Sequence, residues 1–145
     1  TYAANPLSCA VGEAVVSELI ENDLMNNATE MGGYLMAKLK ELANSSQVIG
    51  DIRGKGLLLA AELVANKETK EMLPIKCRGV YRLVEIGIEN GLLLYTRKTS
   101  GGIFGEWVMI TPALTINKSE VDELIDLLRV TFLQFEKELH SQKYI

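Results

Sequence analysis

The feature that most constrains this chain is a long helical signature near its end. Val121, Leu124, Ile125, Leu128, Phe132, Phe135 and Leu139 recur at the spacing of a helix, which places them on one face of it. Two overlapping start signals precede the stripe. Asn117 has Glu120 three residues on, and Ser119 has Asp122, and either pair can form a capping box. A helix of this kind has a single apolar stripe and must lay it on a second layer, so the rest of the chain has to supply that layer.

A second stripe supplies part of it. Leu24, Ala28, Met31, Leu35, Leu39 and Leu42 again alternate steps of three and four, a helix that Asn22-Asp23 should start and Asn44-Ser45-Ser46 should end. Gly32-Gly33 lies inside it, at a cost of about 1 kcal/mol per glycine relative to alanine, which close approach of another backbone would offset. Ahead of it, Asn5 and Pro6 mark a first helix, an N-cap residue followed by the one residue that loses nothing at the first helical position. The run from Leu7 to Glu21 is apolar on more than one face, which predicts a helix packed on both sides.

Between the two striped helices lie shorter signals. Val48 to Gly56 and Leu57 to Val64 are apolar and glycine-punctuated, reading as two strands or one bent strand with a tight turn at the glycines. Asn66 to Pro74 reads as loop. A third helix is expected over 76–90, with Gly91 in the position that favours left-handed backbone. Leu92 to Tyr95 then reads as a buried strand, 98–105 as a connecting stretch, Trp107 to Ile110 as a further short strand, and Thr111 to Leu114 as a turn. The expected fold class is α+β: a small antiparallel or mixed sheet of about four strands packed against helices, with a leading helix.

Composition narrows the function. The chain has 145 residues, 48% hydrophobic and 23% charged, with a formal net charge of −4. That suits one globular domain rather than a disordered segment. Acids and bases are interleaved with no basic block, so nucleic acid is not expected as a partner. No apolar run approaches bilayer length, so no membrane association is expected either. Cys9 and Cys77 match no metal or redox spacing; they read as buried or semi-buried free thiols in the reducing cytoplasm. The chain opens at Thr1 without a methionine and runs almost at once into a helix, which suggests a piece of something longer.

The side chains offer little chemistry of their own. His140, the sole histidine, sits near the end of the last helix among polar neighbours and reads as a solvated surface residue. No paired-carboxylate or metal-ligand spacing stands out, and no metal is expected. The glycines from Gly50 to Gly56 match neither the dinucleotide fingerprint nor the nucleotide-binding loop and read as a turn between strands. More distinctive is the opening Thr1-Tyr2-Ala3-Ala4-Asn5-Pro6. A hydroxyl and backbone amides ahead of a helix N-terminus can seat a phosphate, although simple helix capping accounts for the same residues.

That opening string, continuing Leu7-Ser8-Cys9-Ala10, resembles the segment of class III aminotransferases, pyridoxal-phosphate (PLP) enzymes of fold type I, that follows their catalytic lysine. Two further segments resemble the family in order. Ile49 to Leu58 followed by Glu62-Leu63-Val64 is similar to its small-domain strand pair; Gly91 to Leu94, then Trp107 to Ile116 and a capped helix, is similar to its C-terminal segment. The resemblance covers essentially the whole chain. It implies the C-terminal small domain of an aminotransferase over 1–145, with 1–22 as the connecting helix from a large domain, and a parent enzyme that moves an amino group between an amine or amino acid and a keto acid. It implies PLP as cofactor and a homodimer in which Thr1 binds the cofactor phosphate of the neighbouring subunit. Arg97 stands closest to the family's substrate-carboxylate arginine; a solvated surface arginine is the alternative. Where other members carry a second substrate arginine, before a Pro-Pro-Leu turn, this chain has Met109, and the turn reads Pro112-Ala113-Leu114. Arg53 reads as structural. The Schiff-base lysine of the family precedes the threonine motif, so no catalytic residue is expected within the chain, and alone it should be inactive. Two other readings are a glutamate-1-semialdehyde aminomutase and a stand-alone non-catalytic binding module.

Overall fold

A computed structural model describes residues 3–96 and 105–145. The elements run α1 (Pro6–Glu21), α2 (Leu24–Ser45), β1 (Ile49–Lys55), β2 (Leu58–Leu63), a single 3-10 turn (Ile75–Cys77), α3 (Gly79–Glu89), β3 (Tyr95–Thr96), β4 (Glu106–Ile110) and α4 (Lys118–Ser141). The strands form one antiparallel sheet in the order β1-β2-β4-β3. This is the α+β arrangement expected, and the glycine-punctuated stretch resolves into two strands. They pair as a hairpin through Gly56-Leu57, with Lys55 opposite Leu58 and Gly56 at φ +55°, a backbone glycine adopts without strain.

Strand alternation divides the sheet into two faces. Ile52, Ala61 and Val108 are cross-strand partners on the inner face, and all three are buried. Against that face lie Leu35, Leu39 and Leu42 of α2, Val80, Leu83 and Ile86 of α3, and the α4 stripe, in one continuous core. Among the described residues, α2 contacts β1 and α4, while α3 contacts α4, β3 and β4, so the three helices form a single layer on one side of the sheet.

The helix layer is fixed by a few polar ties. The capping box at the start of α4 forms at Asn117 and Glu120: Glu120 N donates to Asn117 Oδ1 at 3.1 Å, and Asn117 N to Glu120 Oε2 at 2.9 Å. Asn27 of α2 donates to the carbonyls of Leu114 and Ile116 at 2.7 and 3.0 Å, pinning the turn ahead of α4. Arg82 of α3 donates from Nε and Nη2 to Glu138 of α4 at 2.7 and 2.8 Å. This paired geometry holds the Glu138 carboxyl below the usual carboxylate range. At the α2–β1 corner, Ser46 Oγ and Gln47 N donate to the buried Glu136 at 2.5 and 2.9 Å.

Glycines account for the closest packing. A Cβ on Gly32 would lie 2.4 Å from the carbonyl carbon and oxygen of Gly56, so α2 and the β1–β2 hairpin touch backbone to backbone. That is the close approach the sequence required of Gly32. Gly33 has nothing within 4 Å of such an atom, so its cost is not offset by any close approach among the described residues. Gly91 follows α3 at φ +82°, with Leu92 N donating to Gly87 O at 2.7 Å and Gly91 N to Ile88 O at 3.0 Å, the paired bonds of a Schellman end.

Several expectations need correction. α1, read as packed on both sides, buries none of its residues in this chain. Asp23 precedes α2 in a left-handed conformation without a side-chain cap. The helix expected over 76–90 is divided, because Arg78 at φ +51° separates the 3-10 turn from α3. Leu92 to Tyr95 is not a buried strand: Leu92 and Leu94 are buried, whereas Leu93 is 83% and Tyr95 58% exposed, and β3 holds only Tyr95 and Thr96. Cys9 is exposed, and only Cys77 is half-buried; burial is the main cause raising the Cys77 thiol above its ordinary value.

Candidate functional site

The sheet face turned away from the helices has no covering layer among the described residues. Register assembles it. Arg53, Ala60, Met109 and Tyr95 are successive cross-strand partners, one from each strand, and so form a single row; Asp51, Glu62 and Trp107 form the row beside it. Arg53 donates to Glu62 through Nη2 and sits 3.5 Å from Asp51 through Nε. Its guanidinium is thus engaged by carboxylates of β1 and β2. Met109 lies at the junction of two hollows. One, of about 610 Å³, runs over Arg53, Ala60, Glu62 and Trp107. The other, of about 410 Å³, is lined by Leu93, Tyr95, Thr111 and Pro112 and also by Ile110 and by Leu124 of α4, so it reaches the helix side of the sheet.

Both sequence-derived site residues, Thr1 and Arg97, lie outside the described residues, but the neighbours of each are in place. At the start of α1, Asn5 Oδ1 accepts from Leu7 N at 3.0 Å and Ser8 N at 3.2 Å. Two of the helix's first amides are therefore consumed by the cap, and Pro6 has no N–H to give. A phosphate at this end would have to be held by groups ahead of Asn5, where Thr1 stands. On the other side, Thr96 Oγ1 donates to Trp107 O at 2.7 Å and Thr96 pairs with Val108, so the chain leaves for Arg97 from a strand anchored to β4. It returns at Gly105, beside Glu106, whose side chain is buried against Gly79.

Several of the described lysines are engaged with other groups. An amine that attacks a carbonyl must shed its proton, which needs a desolvated pocket or a neighbouring cation. Here Lys67 donates to the carbonyls of Ala43 and Ser46, Lys70 to that of Gly50, and Lys38 and Lys118 lie over the Tyr34 ring. His140 is exposed and meets Gln47 at 3.0 Å, in keeping with its surface reading. Among the described residues no group of His, Cys, Asp and Glu could hold a metal ion, and no helix is long and apolar enough to cross a membrane.

Sequence reasoning noted Met109 only as a departure from a family pattern and missed its row. The signal was there: Ala60/Glu62 and Trp107/Met109 each alternate with buried neighbours at period two.

Comparison with known proteins agrees with this architecture. The chain is 34% identical over 134 residues to the mitochondrial alanine–glyoxylate aminotransferase 2 of Homo sapiens, covering 92% of this chain and 25% of that protein. The crystal structure of a transaminase from the marine bacterium Virgibacillus superposes with a TM-score of 0.88 at 26% identity, over 96% of this chain and 31% of that one. An amine transaminase from an uncultivated Pseudomonas species, solved in its PLP-bound form, gives a TM-score of 0.81 at 28% identity, over 92% and 29%. The chain thus spans less than a third of the length of these relatives, and it matches a C-terminal portion of the larger proteins. With the class-III aminotransferase sequence model matching residues 1–132, the chain belongs to the class-III aminotransferase family.

Proposed function

We propose that this chain is the C-terminal small domain of a PLP-dependent aminotransferase that moves an amino group between an amine or amino acid and a keto acid, with residues 1–22 as the helix connecting it to a large domain. The observation that carries the reading is α1. A helix rich in Val, Leu and Ile that buries no residue against its own domain has the surface of an element lodged between two bodies. The family membership and the PLP-bound relative support the cofactor.

In this reading the chain supplies corners of a site rather than its centre. PLP, when bound, supplies the electron sink for amino transfer. Thr1, ahead of the Asn5 cap, donates to the cofactor phosphate of the neighbouring subunit in a homodimer. The Asn5 cap suits that role, because it satisfies the helix's own amides and leaves the phosphate to the residues before it. Arg97, carried on the connection between β3 and β4, pairs with the substrate carboxylate, for which a planar guanidinium offers two parallel donors. The lysine that anchors the cofactor belongs to the part of the protein preceding this chain. The two unpaired thiols suit the cytoplasm. The aminomutase and binding-module readings gain no support from the fold or the relatives.

Borohydride reduction in the presence of PLP tests this directly. The full-length protein should give one stoichiometric adduct, mapped by mass spectrometry to a lysine ahead of Thr1, and the isolated chain should give none. A single-site adduct on any of the ten lysines within 1–145 would overturn the assignment.

A further inference from the structure

We propose that Asn90-Gly91 is a self-modification site: the Gly91 backbone nitrogen attacks the Asn90 side chain, and the ties between α3 and α4 hold the reaction off until the end of α3 opens.

The chemistry follows from residue order. Of the eight asparagines in the chain, only Asn90 precedes a glycine, whose missing side chain leaves its nitrogen the least hindered of backbone nucleophiles. In the reaction the Gly91 nitrogen loses its proton and forms a bond to Asn90 Cγ. The Cγ–Nδ2 bond breaks, ammonia leaves, and a cyclic imide remains. Water then opens the imide at either carbonyl, giving aspartate or isoaspartate at position 90. The step needs water alone, with no oxidant, reductant or cofactor.

Three features of the fold oppose the attack. Asn90 ends α3 at φ −91° and ψ 5°, which keeps the Gly91 nitrogen on the side of Asn90's own nitrogen and away from Cγ. The nucleophile is also tied into the helix end: Gly91 N donates to Ile88 O at 3.0 Å, and Leu92 N to Gly87 O at 2.7 Å. The leaving amide is held as well. Asn90 Nδ2 donates to Thr131 Oγ1 at 3.3 Å and to Gln134 Oε1 at 3.4 Å, both on α4. Gly91 is exposed and Asn90 half-buried, so water reaches the pair once the turn loosens. Helix ends open locally at a lower cost than the domain unfolds.

The product cannot rebuild the tie. A carboxylate at position 90 has no hydrogen to give Gln134. It also adds negative charge at the C-terminal end of α3, next to Glu89, where the helix dipole disfavours it. Isoaspartate further inserts a methylene into the main chain at the turn closed by Ile88 and Gly87. The change is therefore one-way, and it loosens the joint between α3 and α4.

Peptide mapping of the full-length protein, incubated at mildly alkaline pH with and without urea, tests this. In urea, Asn90 should convert faster than any other asparagine of the chain. Folding should slow it by about tenfold or more, in step with the slowing of hydrogen exchange at the Gly91 and Leu92 amides. Two variants probe the restraint. Gln134→Ala removes part of the tether, and Gly87→Ala sets a methyl 2.8 Å from Leu92 O. Each should speed conversion in the folded protein by about threefold or more and leave the rate in urea unchanged. An asparagine other than Asn90 leading in urea overturns the site. A folded protein that converts Asn90 as fast as the unfolded one, or faster than exchange at those amides allows, overturns the restraint. So does an unchanged folded rate in Gln134→Ala, whether or not Gly87→Ala folds.

Discussion

α1 and α4 begin alike and end in opposite situations. Each starts at an asparagine whose side chain accepts from the first turn, Asn5 and Asn117. Yet α4 buries eight of its 24 residues and α1 none of its 16. Most of the α4 apolar residues keep helical spacing on one stripe covered by α2, α3 and the core, and only Val130 and Leu133 stand more than half exposed. Those of α1, such as Leu7, Val11, Val15, Val16 and Ile20, are all more than half exposed. Capping decides where a helix begins; the angular spread of its apolar residues decides how many neighbours it needs. A helix that short is marginal without tertiary packing, and α1 buries none of its residues against the rest of the described chain.

Truncation in the two helices should separate them most clearly. Phe132→Ala in α4 should cost the isolated chain about 3–5 kcal/mol in urea unfolding, the usual range for a buried aromatic. Val16→Ala in α1 should change it by less than about 0.5 kcal/mol. A loss above 1 kcal/mol at Val16 would mean that α1 packs on its own domain after all.

The glycine pair in α2 sharpens the contrast at closer range. Gly32→Ala should destabilise by about 1–3 kcal/mol, because the added methyl meets the Gly56 backbone, which cannot turn aside. Gly33→Ala, one residue on and in open space, should stabilise the isolated chain by about 0.5–1 kcal/mol. If Gly33→Ala stabilises the isolated chain but destabilises the full-length protein, Gly33 marks a surface that is covered in the full-length protein.

The smallest effect concerns pH. Arg82 holds the Glu138 carboxyl below its ordinary value. The stabilisation from the pair is present at neutral pH, where Glu138 is charged in folded and unfolded chains alike. It is lost as pH falls through the ordinary carboxylate range toward the lowered folded value. Glu138→Gln should cost about 1 kcal/mol at pH 7, since both groups are partly solvated, and the difference from the parent chain should vanish in acid. A difference that grows in acid would mean that Glu138 is not stabilised as a charge. Mutations in α1 should show no such pH dependence.

What could be read from the sequence follows the same division. The long stripes of α2 and α4, the Asn117 capping box, the Gly91 terminus and the hairpin at Gly56 rest on local rules, and they appear where those rules put them. Failures occurred where a short apolar run had no period. Leu92 to Tyr95 is four residues of strand-like composition, but Gly91 and the Schellman bond from Leu92 turn the backbone so that alternate side chains face out. At Arg78 nothing in the composition announced a left-handed break. The site was legible only in part. Thr1 and Arg97 rest on family likeness, and the open row of Arg53, Ala60, Met109 and Tyr95 exists only once four strands distant in sequence are set in register.

The contact of Gly32 with Gly56 bears on how the domain can move. Where two main chains meet with no side chain between them, there is no rotamer to change and no slack to take up. The hairpin and the long helix are thus welded at that point, and a displacement of one drags the other. If the domain shifts as substrate arrives, it should swing as a plate, and the flexing has to occur at a joint such as Asn22-Asp23, between the first two helices, rather than within the sandwich of sheet and helices.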